Sequence, residues 1–172
     1  MANGIQAARI ANQAAYLPSE LIDSEQAYST FERNRDRVYS LAFWMTDNEL
    51  RAEDLLRRVF LRAFSRSDKP TDEIIDRALI SELRRLMPLG VLTLDSGTVS
   101  EVRSVRYNTL RVHLERAVVQ LPPTERLVYC MHDGEGYSHQ RVARNLGISE
   151  VDSQIALHQA RLRIRELVSM MN

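Results

Sequence analysis

The chain has 172 residues, 44% of them apolar and 27% charged, and its 23 basic residues balance 23 acidic ones for a net charge of zero. That length fits one domain or two small helical ones, and the apolar fraction suffices for a packed core. With 6% aromatics and one cysteine, Cys130, which has no partner for an internal bridge, the composition points to helices and excludes a disulfide scaffold.

Residues 1–16 are rich in alanine and only weakly amphipathic, and Leu17-Pro18 ends the pattern. They lack the continuous apolar core of a signal peptide. No apolar run anywhere approaches the ~20 residues needed to span a bilayer, so a cytoplasmic chain without membrane insertion is expected. Residues 1–23 read as an arm, disordered or loosely helical.

Residues 24–46 place Phe31, Val38, Leu41, Ala42 and Met45 at helical spacing. Thr46-Asp47-Asn48 then supplies turn and cap chemistry. Residues 49–66 form a second helical block with an unusually wide apolar arc. Ala52, Leu56, Val59 and Ala63 make its stripe, Leu55 lies beside it, Phe60 and Phe64 stand to one side, and Leu61 lies opposite. A surface helix needs only about a 100° arc for its own core. The excess is read either as a central helix or as one that also docks on a partner. A third helix is expected at residues 72–87, with Ile75, Leu79, Leu83 and Leu86 inward and Pro88 and Gly90 as its stop.

Residues 91–105 hold Asp95-Ser96-Gly97-Thr98 and no helical period, so the boundary between two domains is expected there. The pattern resumes with Leu110, Leu114, Ala117, Val118 and Leu121. Pro122-Pro123 interrupts it, and Pro123 can open the next helix because its missing N–H would be unpaired in a first turn anyway. Cys130 falls in the apolar run 127–131 and reads as a small buried hydrophobe.

Residues 137–165 are the most informative. A short helix over 138–146 buries Val142, Ala143 and Leu146. Gly147 permits the left-handed backbone that ends a helix, and Ile148 can plug the corner. Ser149 opens a longer helix as its cap, with Asp152 three residues on. Short helix, glycine turn, apolar plug and capped longer helix are the grammar of a helix-turn-helix.

Several runs carry a resemblance: Leu121-Pro122-Pro123-Thr124-Glu125-Arg126-Leu127-Val128, Glu135-Gly136-Tyr137-Ser138-His139, Leu146-Gly147-Ile148-Ser149-Glu150 and Leu157-His158-Gln159-Ala160-Arg161. Together they resemble the C-terminal promoter-reading domain of extracytoplasmic-function sigma factors. The run 52–64, Ala-Glu-Asp-Leu-Leu-Arg-Arg-Val-Phe-Leu-Arg-Ala-Phe, is similar to the helix with which that family clamps on the polymerase core. The resemblance implies an all-α protein of two small helical domains joined by a linker. Residues 24–90 would bind polymerase core and the downstream promoter element, 91–106 would link, and 107–172 would read the upstream element by a helix-turn-helix. It implies polymerase contacts at Asp54, Leu55, Arg58, Leu61 and Arg62. It implies upstream DNA contacts at Arg141, Arg144, Ser149, Glu150, Ser153, Gln154, His158, Arg161 and Arg165, and weaker downstream contacts at Arg77, Ser81, Arg84 and Arg85. RNA polymerase core and promoter DNA are the implied partners, with an anti-sigma factor as a further one, and no cofactor or metal is implied.

The chain departs from the family in two places. The reading helix shows Val151, Asp152, Ser153, Gln154, Ile155 and Ala156 where basic residues are usual, and residues 111–172 hold eight basic against seven acidic residues. Phosphate contacts carry much of the affinity for DNA, so weak DNA binding by this half alone is expected. The stretch Thr71-Asp72-Glu73-Ile74-Ile75-Asp76 is acidic and lacks the aromatics that serve strand separation. The alternative is a sigma-like regulator that binds an anti-sigma factor or polymerase without reading promoters. An enzyme is not expected: the chain has no phosphate-cradling glycine loop and no metal-ligand spacing, and His113, His132, His139 and His158 are scattered.

Overall fold

The computed structural model describes residues 25–94 and 110–171, and every regular element among them is helical. The first half holds α1 (Glu25–Thr46), α2 (Glu49–Phe64) and α3 (Asp72–Leu83). The stripe read from α1 is the one it buries: Phe31, Val38, Leu41, Ala42 and Met45 are all in the core. Asp47 takes a left-handed φ of 49°, a conformation that aspartate tolerates, and this breaks α1 from α2. Asn48 caps α2 by accepting from Arg51 N at 2.9 Å. Thr71 does the same for α3, accepting from Ile74 N.

The wide apolar arc of α2 has a local cause. The helix lies between α1 and α3 and packs on both, burying Ala52, Leu55, Leu56, Val59, Phe60 and Ala63. Phe60 meets Phe31 of α1 edge to face at 4.8 Å, an arrangement aromatic rings prefer. The expected third helix is regular only to Leu83, and its last turn loosens through Met87, whose N–H still donates to Leu83 O at 3.0 Å.

The second half holds α4 (Arg111–Val119), α5 (Pro123–Tyr129), a widened π turn (Cys130–Gly134), α6 (His139–Leu146) and α7 (Glu150–Met171). Pro123 stands in the first turn of α5 as its chemistry demands. The long α7 packs against α4, α5 and α6 and supplies the spine of this half. Its inward residues include Leu157, Ala160, Ile164 and Leu167.

The halves also touch each other. α1 meets α4, α5 and the π turn, and α3 meets α6. Of the expected linker, residues 91–94 are described. They lie over α5, where Leu94 N donates to Glu125 Oε1 at 2.8 Å and Thr93 N to the same oxygen. The remainder of that linker and the arm 1–23 lie outside the described residues. Gly90, at a φ of 98°, comes close to Leu146 O, 3.3 Å from where a Cβ would sit.

Candidate nucleic-acid interface

The helix-turn-helix is built by local chemistry. Ser138 caps α6, its hydroxyl accepting from Arg141 N at 3.2 Å. Val142, Ala143 and Leu146 turn inward. Gly147 adopts a φ of 69°, and its N–H donates to Ala143 O at 2.8 Å. Ser149 and Asp152 form a reciprocal box: Asp152 N donates to Ser149 Oγ at 2.9 Å, and Ser149 N donates to Asp152 Oδ2 at 3.2 Å. Two orphan amides of a helix start are thereby satisfied.

The upstream candidates do not share one environment. Glu150, Gln154 and Arg165 are exposed, and His158 is half-buried. Ser149 is exposed but spends its hydroxyl on the cap. Ser153 is fully buried, with its Oγ 3.0 Å from His139 Nδ1. It is thus no base-reading side chain here, because His139 at the start of α6 covers it. Arg161 is not turned outward either. Its Nε and Nη2 fork onto Asp133 at 2.9 and 2.7 Å, so it ties α7 to the π turn instead of lying ready for a phosphate.

Asp133 also accepts a bond from His132. Burial pulls the Asp133 carboxyl up, but the bonds and charges of Arg161 and His132 outweigh that and hold it below the ordinary carboxylate range. The His132 ring stacks on His139 at 4.4 Å. Burial, followed by the charges of His132 and Arg161, lowers the His139 pKa and favours its neutral form.

Arg141 and Arg144 face the first half of the chain. Arg141 Nε donates to Asp76 Oδ2 at 2.9 Å, and Arg144 Nη1 donates to Glu73 at 2.7 Å. Asp76 was not among the sequence candidates. Its signal was available: it sits between Ile75 and Leu79, a carboxylate within an apolar stripe. Tyr137 and Asn145, which also bind Asp76, were not among the sequence candidates either.

The downstream candidates lie on or after α3. Arg77 is exposed and Ser81 half-buried. Arg84 reaches across to Leu146 O at 2.7 Å, and Arg85 lies 3.7 Å from Glu82.

On α2, Leu55 is buried in the core. That corrects its assignment to a docking surface, since the face it occupies is already covered by the first half's own helices. Asp54 pairs with Arg57 and Arg58. Burial pulls its carboxyl up, but the two guanidiniums prevail and lower its pKa. Leu61 is half-exposed. Arg62 Nε donates at 2.7 Å to Glu82, which is buried. Asp54, Arg58, Leu61 and Arg62 are all partly exposed on this face, with Arg58 held by Asp54 and Arg62 by Glu82.

Among the described residues no cluster of three or more His, Cys, Asp or Glu side chains is placed to hold a metal ion. Among them, too, no helix is long and apolar enough to cross a membrane. Cys130 is buried, and burial pushes its thiol to about 12, so it is a poor nucleophile.

Residues 102–164 match the family described as Sigma-70, region 4. The chain is 23% identical over 152 residues to the ECF RNA polymerase sigma factor SigE of Mycolicibacterium smegmatis, covering 80% of this chain and 59% of that protein. It thus spans less than two thirds of that relative's length. Among solved structures it is similar to the sigma factor RpoE of Bartonella quintana, crystallised with the anti-sigma factor NepR, at 15% identity and a TM-score of 0.61. That match covers 87% of this chain and the whole of the other.

Proposed function

We propose that this chain, whose residues 102–164 match the Sigma-70, region 4 family, is an extracytoplasmic-function sigma factor that brings RNA polymerase core to promoters. The observation that carries the reading is the helix-turn-helix itself. Gly147 turns the chain, the Ser149–Asp152 box starts α7, and Glu150 and Gln154 are left exposed at the N-terminal end of that helix. Residues at this end reach base edges in such docking. Glutamine pairs in forked fashion with adenine and glutamate accepts from cytosine. Arg165 would hold a phosphate and help fix the register. The protein would act by binding, in the cytoplasm where polymerase works, with an anti-sigma factor as a further partner.

On the polymerase side, the docking face would be the exposed side of α2 around Asp54, Arg58 and Leu61. Leu61→Asp tests it, because Leu61 is half-exposed and lies off the core. The variant should fold as the wild type by circular dichroism yet fail to co-purify with core enzyme. Undiminished co-purification would move the docking surface elsewhere. A sigma-like regulator remains the second reading, favoured by the near-neutral charge of residues 111–172. It would keep the partner contacts but be indifferent to Gln154.

A further inference from the structure

The outward face of α7 is not the polar strip that a helix surface in water usually shows. The helix buries Ser153, Ala156, Leu157, Ala160 and Ile164 on its inner side. At about 100° per residue, the line opposite them runs through Val151, Ile155 and Leu162. Val151 is 61% exposed, and Ile155 and Leu162 are half-buried. Val151 serves neither the core, which it stands outside, nor the helix, since a β-branched residue is a poorer helix former than the common polar ones. It stands in the first turn of α7, one residue after Glu150 and three before Gln154, both exposed.

The first turn of the second helix of a helix-turn-helix is the part that reaches base edges in the major groove. There each base pair shows its own pattern of donors and acceptors, and thymine alone adds a methyl group. Valine cannot hydrogen-bond to a base edge, but its two methyl groups can pack on that methyl and exclude water from it. Residues three apart on a helix stand about 5–6 Å from each other, and stacked bases follow at about 3.4 Å. Val151 and Gln154 therefore fall within two base steps of each other. We propose that Val151 is a specificity-determining residue that packs on a thymine methyl, within two base steps of the adenine that Gln154 is suited to read. The inference rests on the DNA-reading function proposed above and names the sequence class it selects, an upstream element rich in A·T pairs at these positions. It accounts for the absence of any basic residue from 150 to 157, because the chemistry of this turn is fitted to bases and not to phosphates. A protein partner fits less well. Such interfaces bury about 800 Å² on each side, and of the three apolar residues on this line only Val151 is largely bare.

The test uses holoenzyme assembled from core polymerase and the full chain. Duplexes retained from a randomised upstream library define the element. Each thymine of that element is then replaced singly by deoxyuridine, which removes the methyl and leaves the hydrogen-bonding edge intact. Wild-type holoenzyme should bind about fourfold more weakly at one such position, the worth of one buried methyl group. Val151→Ser should bind the thymine and deoxyuridine forms equally there, at unchanged Tm, because the residue lies outside the core. Gln154→Ala should keep the methyl effect while relaxing the choice of adenine nearby. A wild type indifferent to every deoxyuridine, or a Val151→Ser variant that keeps the preference, overturns the proposal while the selected element upholds the DNA-reading function. A library that yields no shared element overturns both. Indifference to deoxyuridine together with loss of core co-purification in Val151→Ser assigns the residue to a protein contact instead.

Discussion

Replacing Asp76 with alanine should destabilise the chain by about 3–5 kcal/mol, the usual cost of stripping one partner from a buried ion pair. Four groups lose their acceptor: Tyr137 OH, Arg141, Asn145 and Arg37. Tyr137 and Asn145 donate to a charged acceptor, and such bonds contribute about 1.5–3 kcal/mol each. The two guanidiniums are stranded as well. The Arg37 side chain is 16% exposed and that of Arg141 34%, so Arg141 can turn to water while Arg37 cannot do so as freely. This places the expected loss towards the lower end, about 3 kcal/mol, or about 6–12 °C in Tm for a chain of this size. Urea unfolding followed by circular dichroism measures it. Adding Arg37→Met to the alanine variant should recover part of the loss by removing the stranded charge. A loss below about 1 kcal/mol would mean that Asp76 behaves as a surface charge, and the interface would have to be held by its apolar contacts alone.

Three further outcomes follow from the second half. Ser149→Ala should cost about 1 kcal/mol, because Asp152 N loses its acceptor and Asp152 loses the hydroxyl it receives; thermal unfolding reads it. Lowering the pH through the ordinary histidine value of 6.5 should cost stability, since folded His139 has a depressed pKa and the unfolded chain takes the proton first. A second loss begins near the ordinary aspartate value of 3.8, as Asp133 is held ionised by the fold below the point where the unfolded carboxyl protonates. Urea midpoints across this range should show the first step flattened in His139→Gln and the second flattened in Asp133→Asn. Gln154→Ala should relax preference at one base position by about 1–3 kcal/mol while leaving stability unchanged, as measured by competition binding of holoenzyme to variant duplexes.

The helices were legible because their signals are local. The stripes of α1 and α2, the Thr46-Asp47-Asn48 break, the Ser149 cap, Pro123 and Gly147 each follow from the backbone needs of a helix start or stop. What could not be read was which side of a helix a neighbour covers. Gln154 and Ser153 are adjacent and both polar, yet one is exposed and the other buried against His139, because α6 begins above Ser153. Leu55 and Leu61 belong to one wide arc, but α2 is sandwiched between two helices, so only Leu61 keeps an open side. Arg141, Arg144 and Arg161 are expected from the resemblance as DNA contacts. Their carboxylate partners are 65, 71 and 28 residues away, a separation that no local pattern encodes.

The central claim is that the chain directs polymerase to promoters through Gln154 and its exposed neighbours. Run-off transcription with core polymerase on a library of randomised promoters tests it most directly. The account predicts defined transcripts that require the chain, from templates sharing an upstream element, with Gln154→Ala altering which bases that element tolerates. Polymerase that binds the chain yet starts transcripts no differently with or without it, and is indifferent to Gln154→Ala, would contradict the claim and leave a sigma-like regulator in its place.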